Sequence, residues 1–130
     1  MIAVDTNVIV RLITGDDAPQ GKKARDLFAG STVYVTTTVF LETEWVLRKI
    51  YGIDRVSVTE ALLRIAENER VVVEDPARVR AAIEGYRVGL DFADALHVAG
   101  AADAEAFATF DRALARAAPS AFAHPPVISP

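Results

Sequence analysis

Short apolar runs alternate with longer amphipathic stretches along this chain. Residues 2–4 have the length and composition of a buried strand, and two further strands are indicated at Val33–Val35 and Val71–Val73. A fourth run covers residues 106–110, and a further short strand is indicated at Val127–Ile128. The stretches between these runs are long enough for helices. Strand–helix alternation at this spacing predicts an α/β fold, with a mainly parallel central sheet in a three-layer α/β/α arrangement.

The helices are predicted from residues that favour starts and stops. Gly, which tolerates a left-handed backbone, is expected to end three of them, and capping residues or Pro to open the others. Three helices are predicted with both ends: from a cap at Thr6 or Asn7 to Gly15, from Pro19 to Gly30, and over residues 39–51 before Gly52. For three others the sequence indicates the start: a capping box at residues 57–60, Asp75 with Pro76, and Asp91.

Length and composition indicate a single domain over residues 1–130. The chain is 52% hydrophobic and 25% charged, which is typical of a globular protein and argues against disorder. It has no Cys, so a disulfide framework and a thiolate zinc site are excluded. No apolar run reaches the roughly 18 residues of a membrane span, and no basic segment precedes the first apolar run. These features favour a cytoplasmic protein without a membrane partner.

Charge alone does not identify a partner. The formal net charge of −4 argues against nucleic acid, but it would mislead if several acids were neutralised by a divalent metal. Basic residues also cluster locally, but each of them is better explained as part of a solvated helix face. The clusters are Arg11, Lys22, Lys23 and Arg25, then Arg48, Lys49 and Arg55.

Two acids follow apolar strands directly. Asp5 comes after the first run and Asp111 after the fourth. In parallel sheets ligands bind outside the carboxyl ends of the strands, so two acids at such ends could converge. Each is also well explained as the N-cap of the next helix, worth about 1 kcal/mol. Two such acids in one small sheet favour a site.

A third acid, Asp94, lies in the first turn of the alanine-rich helix. The helix dipole favours an acid there, but the apolar residues around Asp94 suggest a helix packed on the sheet. Asp91 is explained as the N-cap of the same helix. His97 shares a helix face with Asp94 and could extend a metal site, although such a His is more often packed or at the surface.

The helix predicted over residues 39–51 carries Glu42 and Glu44. Glu44 has Arg48 at i+4, the favourable order for a surface ion pair. Glu42 instead has Trp45 and Val46 at i+3 and i+4, so neither position offers a cation. Glu42 is therefore the better site candidate, although helical geometry does not choose cleanly between the two.

Carboxylates gathered at one sheet edge repel one another unless a hard cation occupies the cluster. Mg²⁺ or Mn²⁺ suits oxygen ligands and leaves positions for water and phosphate, so hydrolysis of a phosphodiester is the natural reaction. Asn7 and Thr109, which flank the strand-end acids, could orient a carboxylate or a bound water, or could be ordinary capping residues. No Gly-rich phosphate loop or GxSxG motif competes with this interpretation.

Four segments together resemble the PIN-domain family, in particular its VapC-type toxins. They are VDTNVIVR at residues 4–11, TTVFLETEWVLR at 37–48, DFADALH at 91–97 and TFD at 109–111. Each motif alone is weak, whereas the ordered set is quite specific and covers essentially the whole chain.

The resemblance implies a Mg²⁺- or Mn²⁺-dependent ribonuclease, the toxin of a toxin–antitoxin pair. It implies a homodimer that is inhibited by a small antitoxin of the VapB type. By position, Asp5, Glu42, Asp94 and Asp111 would form the acidic quartet that binds metal and carries out catalysis, and Asn7 and Thr109 would support it. The resemblance thereby favours Glu42 over Glu44. From its position, Arg11 is expected to contact an RNA phosphate.

Three other protein classes match the sequence in part. A haloacid-dehalogenase-like phosphatase wants a second Asp two residues after the first, where this chain has Asn7. A receiver domain needs an early acid pair and a late Lys, and the last Lys here is Lys49. A non-catalytic PIN-like module that binds RNA or protein is disfavoured by the complete acidic set but stays open. The RNA target is not indicated.

Overall fold

The computed structural model describes all 130 residues and divides into two compact units, Met1–Pro76 and Ala77–Pro130. The chain is 60% helical, and every strand pair is parallel. The α/β class with parallel strands is thus confirmed. None of the helices combines the length and apolar character needed to cross a bilayer.

The first unit contains a three-stranded parallel sheet. Its strands are β1 (Ile2–Ala3), β2 (Val33–Val35) and β3 (Val71–Val73), in the order β1-β2-β3. The central strand is buried through Val33 and Val35. The prediction of a buried first strand was wrong, because β1 is an edge strand and Ile2 is 45% exposed. Burial begins at Val4, the residue after the strand.

Four helices complete this unit, and two of the predicted caps were wrong. The helices are α1 (Thr6–Thr14), α2 (Ala18–Gly30), α3 (Thr37–Trp45), which continues as a π-helical turn (Val46–Ile50), and α4 (Arg55–Glu67). Asp5 caps α1 in place of Thr6 or Asn7, and Asp54 caps α4 in place of Ser57. Both acids have extended backbone, which turns the carboxylate towards an amide three residues on.

The second unit contains a separate two-stranded sheet. It comprises α5 (Pro76–Arg87), which begins at the end of the first unit, α6 (Phe92–Ala99), β4 (Phe107–Ala108), α7 (Arg112–Ala117) and β5 (Val127–Ile128). β4 pairs with β5, so the single continuous sheet expected from the sequence is divided in two. β4 is also shorter than predicted, because the chain turns at Asp111 to begin α7.

A glycine in α5 allows α6 to pack closely against it. A Cβ atom at Gly85 would lie 3.1 Å from the Phe122 ring and 3.3 Å from the Ala95 Cβ, so a larger residue would push these groups apart. Next to it, the rings of Tyr86 and Phe92 meet edge to face with centroids 5.5 Å apart. This packing fixes the start of α6, where Asp91 and Asp94 lie.

A hydrogen-bonded network links α1 to the residue that follows the π-helical turn. Arg11 Nη1 donates to Asp16 Oδ1 at 2.8 Å and to the Tyr51 hydroxyl at 3.0 Å, and that hydroxyl donates to Asp16 Oδ2 at 2.6 Å. Thr14 Oγ1 also donates to Asp16, at 2.8 Å. The hydrogen bonds from Tyr51 and Thr14, followed by the Arg11 interaction, lower the pKa of Asp16 to about 2.

We expect Asp16→Asn to reduce the loss of folding stability that the protein undergoes as the pH falls from 6 to 2. The folded-state pKa lies below the ordinary 3.8, so the ionised carboxylate stabilises the fold above about pH 4, and this contribution is lost as the pH falls towards 2. Urea unfolding midpoints from pH 6 to pH 2 should therefore decline less in Asp16→Asn than in the wild type. Tyr51→Phe should flatten the profile partly. Identical profiles in all three proteins would show that the network contributes nothing.

The ion pair between Glu44 and Arg48 forms as predicted, but it does not lie on the surface. Their Oε2 and Nε atoms are 2.7 Å apart, and the Glu44 side chain is only 3% exposed, against 39% for Arg48. Glu44 shares the buried face of α3 with Phe40, Thr43 and Leu47, at helical i, i+3, i+4 and i+7 spacing. Its partner Arg48 is partly exposed, so the ion pair reaches the protein surface.

We expect Arg48→Met to destabilise the protein by about 2–3 kcal/mol, because it leaves the buried Glu44 carboxylate without this cation. The figure lies below that for a fully buried pair since Arg48 is partly exposed. Lys22→Met is the matched control: it breaks an exposed i, i+4 pair with Asp26 and should cost less than about 1 kcal/mol. Urea denaturation measures both. Equal losses would mean that burial of Glu44 has no energetic consequence.

Candidate functional site

Asp5 lies where β1 ends and α1 begins. Its Oδ1 accepts a hydrogen bond from the Val8 amide at 3.3 Å, so the capping alternative is realised. Oδ2 accepts no hydrogen bond, and the residue is exposed. Asn7 is exposed in the first turn of α1, while Thr6 is buried. The cap therefore uses one carboxylate oxygen of Asp5 and leaves the other available to a ligand.

The other two strands of this sheet also end in groups that cap a helix. Thr36 follows β2, and its hydroxyl accepts from the Val39 amide at 3.4 Å. Glu74 follows β3, and its Oε1 accepts from the Thr37 amide at 2.9 Å. Glu74 was not among the predicted site residues, although its place directly after an apolar strand is the same signal that identifies Asp5. Its carboxylate serves the start of α3.

Glu42 lies on the solvent-facing side of α3. The residue is exposed, and its side chain makes no hydrogen bond or ion pair in the structure. The expectation that Trp45 would give Glu42 apolar surroundings was wrong, because Trp45 is itself 47% exposed. α3 packs against α1 and begins at the sheet edge where Asp5 lies. The prediction of Glu42 as a site residue thus depends on its motif position and on the start of its helix beside the strand ends where Asp5 lies. It does not depend on apolar neighbours.

In the second unit, Asp91 and Asp94 lie together at the start of α6. Asp91 is the N-cap, as predicted, and its Oδ2 accepts from the Asp94 amide at 3.0 Å. The Asp94 side chain itself accepts no hydrogen bond and is half-buried. His97 is exposed in the last turn of the same helix.

Asp111 is fixed by hydrogen bonds on both sides. Its Oδ1 accepts from the Leu114 amide at 3.0 Å, capping α7, and its own amide donates to the Thr109 hydroxyl at 3.0 Å. The Thr109 amide in turn donates to the Ile128 carbonyl at 3.0 Å, which extends the pairing of β4 with β5. Thr109 thus holds the backbone that presents Asp111, and Oδ2 of Asp111 is free of hydrogen bonds.

The electrostatics of Asp94 show which acids lie close together. Partial burial is the main cause that raises the pKa of Asp94 above its ordinary value, and the negative charges of Asp91 and Asp111 raise it further. His97 acts in the opposite direction. The structure therefore brings Asp94 and Asp111 within electrostatic reach of each other. A cation would relieve this repulsion.

No group of three or more His, Asp or Glu side chains in the structure is arranged to hold a metal ion. The donors themselves suit a hard divalent cation, because each predicted ligand is a carboxylate with at least one oxygen outside any hydrogen bond. Asp5 and Glu42 belong to the first unit, and Asp94 and Asp111 to the second.

Beside the N-terminal turn of α1 lies a cavity of about 340 Å³. Its lining comprises Asn7, Val8, Arg11, Gln20, Lys23, Ala24 and Leu27. Arg11 uses Nη1 in the network with Asp16 and Tyr51 and donates from Nε to Gln20 Oε1 at 2.8 Å. Its Nη2 makes no hydrogen bond. Arg11 and Asn7 were expected at the site, and Lys23 was recognised only as part of a basic cluster. Gln20 gave no signal in the sequence, because only the packing of α2 on α1 brings these side chains to the same cavity.

Comparison with protein families gives one match. The PIN domain profile covers residues 2–119, which includes all four motif acids and residues of both units. No curated protein and no solved structure gives a significant match. PIN domains are generally nucleases that bind RNA, and they typically use divalent metals. Because the match extends over most of its length, the chain belongs to the PIN-domain family.

Proposed function

We propose that this protein is a Mg²⁺- or Mn²⁺-dependent endoribonuclease and the toxin of a type II toxin–antitoxin system. The observation that carries the catalytic part is Asp94, a half-buried carboxylate whose pKa is raised by burial and by Asp91 and Asp111. An acid so placed is stabilised as an anion when a cation binds beside it. Membership of a nuclease family supports the same conclusion.

Asp5, Glu42, Asp94 and Asp111 are the residues that would hold the metal. When bound, a divalent cation supplies activation of water and stabilisation of the charge that develops on phosphate. Asp5 and Asp111 can serve as helix caps and as ligands at once, because each cap uses only Oδ1. These caps also fix the two carboxylates before any ligand arrives, which reduces the entropy lost on binding.

Asn7, Thr109 and Arg11 have supporting roles in this proposal. The Thr109 hydroxyl accepts from the Asp111 amide and so orients the turn that presents this acid. The Asn7 amide is exposed one turn from the cap and can hydrogen-bond a water or a phosphate oxygen. Arg11 would contact an RNA phosphate through Nη2, since Nε and Nη1 are already used within the protein.

We expect Asp5→Asn to lower RNA cleavage by about 100-fold or more. Asn retains the capping oxygen but removes the charge that binds metal, so the loss should not come from unfolding. The wild type should lose activity in EDTA and regain it with Mn²⁺ or Mg²⁺. The measurement is cleavage of total RNA with the cut sites mapped, alongside a urea unfolding curve.

Glu42→Gln and Glu60→Gln test the assignment on the helices. Both residues are exposed acids on helices, but only Glu42 is proposed to bind metal. Glu42→Gln should reduce cleavage and Glu60→Gln should leave it unchanged. Full activity in Asp5→Asn, or cleavage that persists in EDTA, would refute the metal-dependent site.

The toxin role implies a small antitoxin partner, a homodimer and action on RNA in the cytoplasm. Large apolar side chains that remain exposed support a protein interface: Trp45 is 47% exposed, Ile50 65% and Val56 67%. All three lie on or between α3 and α4, where the chain passes through the π-helical turn.

Expression of the wild type in a bacterial host should arrest growth, and Asp5→Asn should not, because toxicity requires cleavage. Co-expression of the product of a small adjacent open reading frame should restore growth. The readout is colony formation on induction, with equal soluble levels of the two proteins as control. Equal toxicity of both forms would separate any growth defect from the nuclease.

One observation favours a second candidate, a PIN-like module that binds RNA or protein without cutting. No group of three acids is arranged to hold a metal, and Asp5, Asp91 and Asp111 all have structural roles as caps. Retained RNA binding in a protein that never cleaves RNA with either metal would favour this alternative.

A further inference from the structure

We propose that the cavity beside α1 is a subsite for one nucleotide of single-stranded RNA, with Lys23 as its phosphate contact. This inference rests on the proposed function, because it assigns part of the RNA-binding surface of the same protein. The cavity lies wholly within the first unit.

The size and lining of the cavity suit a nucleotide. Its volume of about 340 Å³ falls in the range of small-molecule sites, which are mainly apolar with a few placed polar groups. Val8, Ala24 and Leu27 form an apolar wall for the face of a base. The side-chain amides of Asn7 and Gln20 also line the cavity and can hydrogen-bond to the edge of a base.

The charge of the lining favours an anionic ligand. Lys23 and Arg11 are its only charged members, so it contains two cations and no acid in a chain of net charge −4. Lys23 is exposed, and its side chain makes no ion pair or hydrogen bond. Its neighbour Lys22, by contrast, is paired with Asp26 at 2.7 Å and does not line the cavity. Lys23 is thus the lysine available to a phosphate.

The polar groups of the cavity are already oriented. Gln20 Oε1 accepts from Arg11 Nε, which leaves the Gln20 amide nitrogen to donate to a ligand. Asp16 and Tyr51 hold the Arg11 guanidinium in place, and Asp16 offsets much of its charge. Arg11 therefore orients Gln20 and has only Nη2 left for a phosphate oxygen, whereas Lys23 supplies the unbalanced positive charge of the cavity.

The cavity also lies close to a proposed metal ligand. Asn7, in its lining, is two residues from Asp5 and in the first turn of the helix that Asp5 caps. A nucleotide bound here would lie on the helix whose N-cap, Asp5, is a proposed metal ligand. The residues of this cavity would then help to select the cleavage site.

Binding of RNA without cleavage tests the inference. The probe is a short single-stranded RNA, 2′-O-methylated throughout, titrated into the full chain in EDTA by fluorescence anisotropy at several salt concentrations. Lys23→Gln should weaken binding about tenfold at low salt and reduce the slope of log affinity against log salt by about 0.7, the loss of one phosphate contact. Lys22→Gln, the matched control, should bind like the wild type. Leu27→Ala should weaken binding a few-fold with an unchanged salt slope.

The outcomes separate this inference from the nuclease proposal. Equal affinity in Lys23→Gln and Lys22→Gln, or no binding by the wild type, overturns the subsite and leaves the cavity to a protein ligand, even if RNA is cleaved. Selective loss in Lys23→Gln supports the subsite, even if no metal ever restores cleavage.

Discussion

The unpaired amides at the helix N-termini are the constraint on which this structure depends. The first amides of a helix have no partner inside it, and in six of the seven helices a side chain just before the helix accepts one of them. Five of these six caps are Asp. Asp5 and Asp111 stand where a strand passes into a helix, and Asp91 opens α6. The need to satisfy these amides therefore places carboxylates at the turns where an α/β protein binds its ligands.

Capping and ligand binding do not compete at these residues. A carboxylate has two oxygens, and in both Asp5 and Asp111 the cap engages only Oδ1. The capped acid is held in one orientation, which favours binding of a cation by the second oxygen. Asp94 differs, because it caps nothing, is half-buried and has its pKa raised by burial and by neighbouring acids. This raised pKa is the observation that supports the proposal of Asp94 as a metal ligand.

The two glutamates of α3 show why helical spacing alone could not choose between site candidates. Local pairing correctly joins Glu44 to Arg48, yet it says nothing about which helix face is buried. In the structure Phe40, Thr43 and Leu47 share the buried face with Glu44, and Glu42 lies exposed on the other. A cation at i+4 is compatible with either environment. The proposal of Glu42 as a metal ligand rests on its position in the motif and not on the apolar neighbours expected for it.

Local chemistry was enough to predict the features that are encoded within a few residues. The strands at Val33–Val35 and Val71–Val73, the glycine stops at Gly15 and Gly52 and the cap at Asp91 follow from composition and short-range hydrogen bonding. The edge position of β1, the pairing of β4 with β5 and the cavity that joins Gln20 and Lys23 to Arg11 were not predictable in this way. These features depend on contacts between residues distant along the chain, and hydrophobic periodicity carries no information about which elements meet.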